Sequence, residues 1–299
     1  MIIELLYASF AVENVDDTRR AFRDVLGLGS EHMGPDPFLG TTRGALVAFP
    51  NRCWLYLMES DCPNSPVFQH LGSKGAGLER LAFRTDNIDA AFERVRRAAV
   101  PLADDALVTT PEGRRFAIPP EHIAGVRVEL IQPSPGCWVH DAPENIAGVL
   151  GLQHIGIVSR DLLVTIDRFQ KLLDLQMEDL RYDQHGGQQK DVIIRSGNDR
   201  LWLHAVESWE PNSRVLEYLQ ENGEGLDHIC IEVDDIRESV KQALGGKCSY
   251  QDNPFRDHKI FTSRPDGFEA FILPQYTTGL TVELIEPFPF SRGYRERKK

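Results

Sequence analysis

The spacing of apolar and polar residues changes once along residues 221–244, and this change predicts a strand that leads into a helix. Apolar residues alternate with polar ones from Ile229 to Val233, which is the period of a half-buried β-strand. Two aspartates follow, and a helical spacing then continues to about Leu244. His228 lies at the start of the predicted strand. A single histidine at such a place is usually structural, so its meaning depends on the rest of the chain.

The same strand and helix pattern occurs again elsewhere in the chain. Segments of the first half align without gaps with segments of the second half, in the same order and at matching spacings. The pairs are 7–28 with 154–175, 53–60 with 201–208, 77–92 with 225–240, and 126–133 with 280–287. Several gapless matches that keep their order indicate an internal repeat.

The repeat predicts an α+β fold built from four βαβββ units in two tandem pairs. The units start near residues 3, 77, 150 and 225. Residues 133–148 are rich in proline, glycine and polar side chains, which is typical of a linker between domains. We therefore predict an N-terminal domain at 1–140 and a C-terminal domain at 141–299, each containing one pair of units.

Composition narrows the class of protein. The chain has 299 residues, of which 41% are hydrophobic, with a net charge of −12 and a pI of about 5.2. No apolar run approaches the roughly 20 residues that span a bilayer, and an acidic chain lacks the basic face that binds nucleic acid. The N-terminus reads as a strand rather than a signal peptide. The five cysteines lack paired metal spacing, so we expect reduced thiols and a cytoplasmic protein with no membrane or nucleic-acid partner.

Candidate metal ligands occupy equivalent strand positions in the second pair of units. We call these residues the metal set: His154, His204, His228 and Glu283. Three imidazoles and a carboxylate from four strands suit one divalent metal per chain, with Zn, Ni, Co, Mn and Fe all compatible. His204 is the least secure ligand, because Trp202 lies on the same strand face and a slip of two residues would exchange them. Three ligands would then remain.

The first pair of units has different residues at these positions. We call them the first-half set: Tyr7, Tyr56, Arg80 and Glu129. An arginine repels a cation and can instead pair with a carboxylate, here Arg80 with Glu129. We therefore expect a degenerate, metal-free site in the first half.

At these residues the chain resembles the vicinal oxygen chelate superfamily, which includes glyoxalases, bleomycin resistance proteins and extradiol dioxygenases. The second half is most similar to methylmalonyl-CoA epimerase in the segments LQHIGIVSRDL, YLQENGEGLDHICIEVDDI and FILPQYTTGLTVELIEP. The resemblance implies that each pair forms a cupped eight-stranded mixed sheet with flanking helices. It implies His154, His228 and Glu283 as ligands, and it places His204 where the epimerase has a glutamine ligand.

The chain departs from the epimerase pattern in two respects. It carries an extra pair of units, and the catalytic glutamate of the family should fall within 183–191, where the chain offers Asp183 and His185. The doubled architecture with metal in the second pair resembles extradiol and 4-hydroxyphenylpyruvate dioxygenases. The segment 257–271 partly matches an extradiol signature, but the ligand glutamate of that signature falls at Phe271.

These patterns predict a metal-dependent isomerase, epimerase or lyase of the glyoxalase type. Its substrate would be a small, vicinally oxygenated carbonyl compound that reacts through a metal-stabilised enolate. His185 and His258 are the candidate bases, and Tyr276 is a candidate proton donor. One alternative is an Fe(II)-dependent dioxygenase of the extradiol or 4-hydroxyphenylpyruvate type, and another is a non-catalytic protein that binds small molecules. A homodimer is possible.

Overall fold

A computed structural model describes most of the chain. It covers residues 2–36, 38–102, 106–137, 148–184, 189–195, 201–211, 213–245, 262–264 and 267–287. The predicted domain boundary at residue 140 and the candidate bases His185 and His258 lie outside these ranges, so they stay predictions. Within the described ranges, no helix is both long enough and apolar enough to cross a membrane.

The first half forms an eight-stranded mixed sheet with three helices. The strands are β1 (Ile2–Ala11), β2 (Glu31–Met33), β3 (Arg43–Ala48), β4 (Trp54–Glu59), β5 (Gly77–Thr85), β6 (Val108–Thr110), β7 (Gly113–Ile118) and β8 (Arg127–Pro133). The helices are α1 (Val15–Leu26), α2 (Pro66–Lys74) and α3 (Ile88–Arg97). The strand order is β2-β3-β4-β1-β5-β8-β7-β6, so β1 and β5 lie at the centre.

The second half repeats this architecture. Its strands are β9 (Val149–Val158), β10 (Gln176–Gln184), β11 (Gln189–Arg195), β12 (Trp202–Ser208), β13 (Gly225–Val233), β14 (Thr262–Arg264), β15 (Gly267–Ile272) and β16 (Thr281–Pro287). Its helices are α4 (Leu162–Leu173), α5 (Arg214–Asn222) and α6 (Ile236–Gly245). The order β10-β11-β12-β9-β13-β16-β15-β14 matches the first sheet strand for strand, which confirms the predicted fold class.

The first helix of each half begins and ends in the same way. Asn14 caps α1 and Asp161 caps α4, and each side chain accepts a backbone N–H from the first helical turn. Both helices end at a residue in the left-handed conformation, Gly27 with φ 70° and Asp174 with φ 60°. The repeat therefore extends from the strand order to the conformation of single residues.

Spatial proximity divides the chain into two compact units. One contains residues 1–9, 78–141 and 154–227, and in it α3 packs against α4. The other contains residues 10–77, 142–153 and 228–299, and in it α1 packs against α6.

Phenylalanines on three of the helices are part of the core. Phe22 of α1 and Phe169 of α4 are fully buried at repeat-equivalent positions. Phe92 of α3 meets Phe116 of β7 edge to face, with ring centroids 5.1 Å apart. Phe22, Phe92 and Phe169 lie on the apolar stripes of amphipathic helices, so burial of each stripe fixes its helix on the sheet.

Substitution of Phe169 by alanine should destabilise the protein by about 4 kcal/mol, because the change leaves a cavity in a closely packed core. Urea denaturation followed by circular dichroism measures the loss. Phe169→Leu retains most of the apolar volume and should cost less than about 1.5 kcal/mol. An equal loss of unfolding free energy in both variants would contradict the close packing around Phe169.

Candidate metal centre

Two histidines of the metal set lie on neighbouring parallel strands. On β9 and β12, His154 is opposite Trp202, and Gly156 is opposite His204. Side chains at i and i+2 of a strand share a face, so His154, Trp202 and His204 project from the same side of the sheet. The His154 and His204 rings meet edge to face with centroids 5.2 Å apart, and Trp202 stacks on His154 at 6.3 Å.

The other two residues of the metal set also come from parallel strands. On β13 and β16, Cys230 is opposite Glu283, and His228 lies two residues before Cys230. The Nε2 atom of His228 is 3.3 Å from Oε2 of Glu283, and both side chains are buried. Phe271 of β15 is also opposite Glu283, and its ring meets the His228 ring edge to face at 6.3 Å.

Three buried residues place potential ligand atoms close together. One donor atom each from His154, Cys230 and Glu283 lies within 4.8 Å of the others. Cys230 was not among the sequence candidates, because its thiol forms no paired cysteine motif. Its position two residues after His228 was the available signal, since that spacing keeps both side chains on one face. The thiol donates to Oε1 of Gln153 at 3.8 Å.

His204 is close to His154, but its neighbours leave two roles open. Its Nε2 atom is buried and, within the described residues, has no hydrogen-bond partner. The same atom lies 3.7 Å from Oδ2 of Asp191, a carboxylate that is 5% exposed. Asp191 was not singled out from the sequence, although it lies in the segment where the resemblance places a catalytic glutamate. Whether His204 binds a metal therefore stays a proposal.

Tyr7 and Arg80 of the first-half set form a buried network with Glu129. Tyr7 donates its hydroxyl to Oε2 of Glu129 at 2.9 Å. Arg80 lies 3.6 Å from the same oxygen, and Arg115 lies 3.4 Å from Oε1. The predicted pairing of Arg80 with Glu129 is therefore present, whereas Arg115 was missed. The absence of a metal in the first half stays a prediction.

The charged groups of this network stabilise one another. Arg80 also pairs with Glu79, and Arg127 contacts Glu79 at 2.9 Å. Burial by itself lowers the pKa of Arg80, but the Glu79 and Glu129 carboxylates outweigh it and raise the pKa above its ordinary value. Burial and the adjacent Glu129 carboxylate raise the pKa of Tyr7 well above its ordinary value. The network therefore contains a protonated phenol and charged guanidinium groups.

The second half lacks these guanidinium groups at the equivalent positions. Arg80 and Arg115 flank Glu129 in the first sheet, and His228 and Glu269 take their places in the second. A buried carboxylate needs a neighbouring positive charge. A divalent cation held by residues of the metal set, with Cys230 beside them, would supply it, since imidazole, thiolate and carboxylate groups all ligate such ions. The residues present therefore fit a metal.

The remaining candidate from the sequence, Tyr276, lies in a short 3-10 turn. This turn, Pro274–Tyr276, precedes β16, and Tyr276 is half-buried. Its counterpart in the first half is His122, at the end of the turn Pro120–His122. This agreement supports the aligned repeat, and the role of Tyr276 as a proton donor stays a prediction.

Removal of the central carboxylate should affect the two halves differently. Glu129→Gln leaves Arg80 and Arg115 buried beside an uncharged group and should destabilise the protein by about 3 kcal/mol. Glu283→Gln in metal-free protein removes no such counterion and should cost less than about 1 kcal/mol. Chemical denaturation in a chelating buffer compares the two. A larger loss for Glu283→Gln would contradict this description of the charges.

Wild-type protein purified without a histidine tag should bind about one divalent ion per chain. His228→Ala and Glu283→Ala should bind none, since each removes a ligand. Tyr7→Phe, in the first-half set, should bind as wild type does. Elemental analysis after dialysis measures the content, and the idea fails if Tyr7→Phe loses the metal or the other two variants retain it.

The sequence matches two family models. One is described as a glyoxalase-like domain and covers residues 8–173. The other is described as the glyoxalase/bleomycin resistance protein/dioxygenase superfamily and covers residues 153–259. Among curated proteins, none matches the chain in sequence.

Several solved structures resemble the protein at low sequence identity. A mutant of 4-hydroxymandelate synthase from Streptomyces coelicolor is 18% identical with a TM-score of 0.68, over 96% of this chain and 94% of that chain. A fusion of a xylose isomerase-like TIM barrel with 4-hydroxyphenylpyruvate dioxygenase is 17% identical with a TM-score of 0.60, over 96% of this chain and 49% of that chain. At such identities the likeness shows the fold alone.

A methylmalonyl-CoA epimerase from Mycobacterium tuberculosis matches half of the chain. It is 18% identical with a TM-score of 0.43, over 50% of this chain and 97% of that chain. The glyoxalase-like model covers more than half of the sequence. The chain therefore belongs to the glyoxalase-like family of the glyoxalase/bleomycin resistance/dioxygenase superfamily.

Proposed function

We propose that the protein is a metal-dependent isomerase, epimerase or lyase of the glyoxalase type. Its substrate is a small carbonyl compound with two neighbouring oxygens. The metal is held by His154, His228 and Glu283, with His204 as the fourth ligand. Membership of a superfamily with several chemistries supports an enzyme, and the ligand set supports this choice among them.

The state of His204 carries the proposal. A buried ring nitrogen with no hydrogen bond is costly, because the nitrogen has lost its contact with water and gained nothing in return. In His204 this nitrogen is Nε2, which has no hydrogen-bond partner in the described part of the chain, and the His204 ring packs against the ring of His154. A metal ion shared with His154 would satisfy Nε2.

The number of ligands separates the two chemistries. His154, His204, His228 and Glu283 would hold the metal with four protein atoms and would leave room for the two oxygens of a chelating substrate. When bound, the metal acts as a Lewis acid that polarises the carbonyl and makes the adjacent C–H group acidic. A dioxygenase needs a further open position for oxygen, and a four-ligand set leaves none.

A group of this chain must then accept the proton. Asp191 is the candidate base among the described residues, because its buried carboxylate lies beside His204 and so beside the proposed substrate position. His185 and His258 are further candidates outside the described residues. Tyr276 is the candidate donor to the substrate oxygen, from the turn that precedes β16.

One observation favours the dioxygenase as a second candidate. His204 can pair with Asp191, which lies 3.7 Å away, instead of binding the metal. Two histidines and one carboxylate would then remain, and this facial triad is typical of Fe(II) oxygenases. The protein would in that case bind iron and consume oxygen with a catechol or a keto acid.

Hydrogen exchange in deuterated water tests the proposal. Metal-loaded protein should exchange the C–H beside the carbonyl of at least one compound in a panel of α-hydroxyketones and keto acids, as measured by NMR. His204→Ala should slow this exchange about a hundredfold, because it removes a ligand of the metal.

His122→Ala, in the first-half turn, is the matched control and should exchange at the wild-type rate. Oxygen uptake by the iron-loaded protein that persists in His204→Ala would favour the dioxygenase. Exchange that is unchanged in His204→Ala would exclude His204 as a ligand and with it the four-ligand site.

A further inference from the structure

A row of side chains crosses the second sheet and ends at His154. Strands β11, β12 and β9 are neighbours in that order. Arg195 of β11 is opposite Trp202 of β12, and Trp202 is opposite His154 of β9. Residues that are directly opposite on paired strands project from the same face, so the three side chains lie side by side. A proposed ligand of the metal therefore forms one end of the row.

Each side chain of the row contacts the next. The Trp202 and His154 rings are stacked, with centroids 6.3 Å apart and planes at 24° to each other. The guanidinium carbon of Arg195 lies 5.6 Å from the centroid of the Trp202 ring, which is within the range of a cation–π contact. Glu178 holds Arg195 in turn, since its Oε2 accepts from Nε at 3.0 Å and from Nη2 at 2.8 Å. Trp202 is thus flanked by protein along the row on both sides.

The first half has the same tryptophan with a different neighbour. Trp54 is the repeat counterpart of Trp202, and the residue opposite Trp54 on β3 is Ala48. An alanine methyl group cannot make the cation–π contact that Arg195 makes. The tryptophan backed by an arginine therefore occurs in the half that contains the metal set.

An imidazole binds a metal best when its ring already has the correct orientation. The ring of a histidine can rotate about two side-chain torsions, and a metal that binds a mobile ring must fix both of them. Groups that orient a ligating histidine typically change metal affinity by about 10- to 100-fold. A stacked aromatic ring restricts the same rotation through contact with the face of the imidazole.

We propose that Trp202 is a positioning residue that holds the His154 imidazole in its metal-binding orientation, while Arg195 fixes the tryptophan from the other side. This inference rests on the proposed metal-dependent function. Trp202 is not itself a ligand, because the indole nitrogen is a donor only. Its ring is in contact with protein on both sides, so it acts on the ligand rather than as a stacking surface for the substrate.

The zinc affinity of the full chain, measured by competition with a chromophoric chelator, tests the inference. Trp202→Leu should weaken zinc binding about tenfold, since it removes the ring that packs on His154. Trp202→Phe keeps an aromatic face and should bind zinc within about threefold of wild type. Trp202 is half-buried, so neither substitution empties a core position.

Trp209→Leu is the matched control. Trp209 follows β12 and also has a cation over its ring, with Nζ of Lys190 5.0 Å from the centroid. It is 45% exposed and is not one of the row of side chains that ends at His154. Trp209→Leu should therefore bind zinc as tightly as wild type.

Cobalt in place of zinc separates positioning from a general loss of structure. The visible absorption of Co(II) depends on the geometry of its ligands, so Trp202→Leu should shift the bands, whereas Trp202→Phe and Trp209→Leu should keep the wild-type positions. A lower occupancy alone would reduce the intensity and leave the band positions unchanged.

The positioning role is overturned, while the metal site stands, if Trp202→Leu keeps the wild-type zinc affinity or the wild-type cobalt bands. It is also overturned if Trp202→Phe or Trp209→Leu loses as much affinity as Trp202→Leu. If the wild-type protein binds neither zinc nor cobalt, the positioning role and the proposed function both fail.

Discussion

A buried carboxylate on the last long strand of each sheet needs a positive partner, and each half of the protein meets this need in its own way. In the first half, Arg80 and Arg115 flank Glu129, and Tyr7 donates a hydrogen bond to it. In the second half, Glu283 lies beside His228 and Cys230. Guanidinium groups lie beside the first carboxylate, whereas the second has imidazole and thiol neighbours of the kind that can ligate a cation.

The repeated backbone makes this difference possible. Both sheets have the same strand order, and Ala82 is opposite Glu129 as Cys230 is opposite Glu283. Side chains at equivalent positions therefore converge on equivalent points, whatever their chemistry. The fold fixes where the groups lie, and the residue types decide whether they form an ion-pair network or a ligand set.

Most of the fold followed from the sequence. Gapless matches between the halves predicted four units, and the structure has two sheets with the same order of strands. The repeat was informative because each segment is compared with its counterpart in the same chain. No single segment then has to be assigned to a strand or a helix by its own pattern alone. The alternation of strand residues also placed His154, His204, His228 and Glu283 on the long strands correctly.

The sequence by itself thus determined the architecture, the family resemblance and a set of candidate ligands, since spacing along a strand decides which face a side chain takes. Only the tertiary structure decided which of these groups are neighbours. It brought Cys230 to His154 and Glu283, which are distant from it along the chain, and it placed Asp191 beside His204 on the neighbouring strands β11 and β12. It also showed that Glu269 occupies the strand position that is equivalent to Arg115, the residue that lies beside Glu129 in the first half. Strand register sets these contacts, and register depends on pairing between distant segments, which local sequence patterns do not encode.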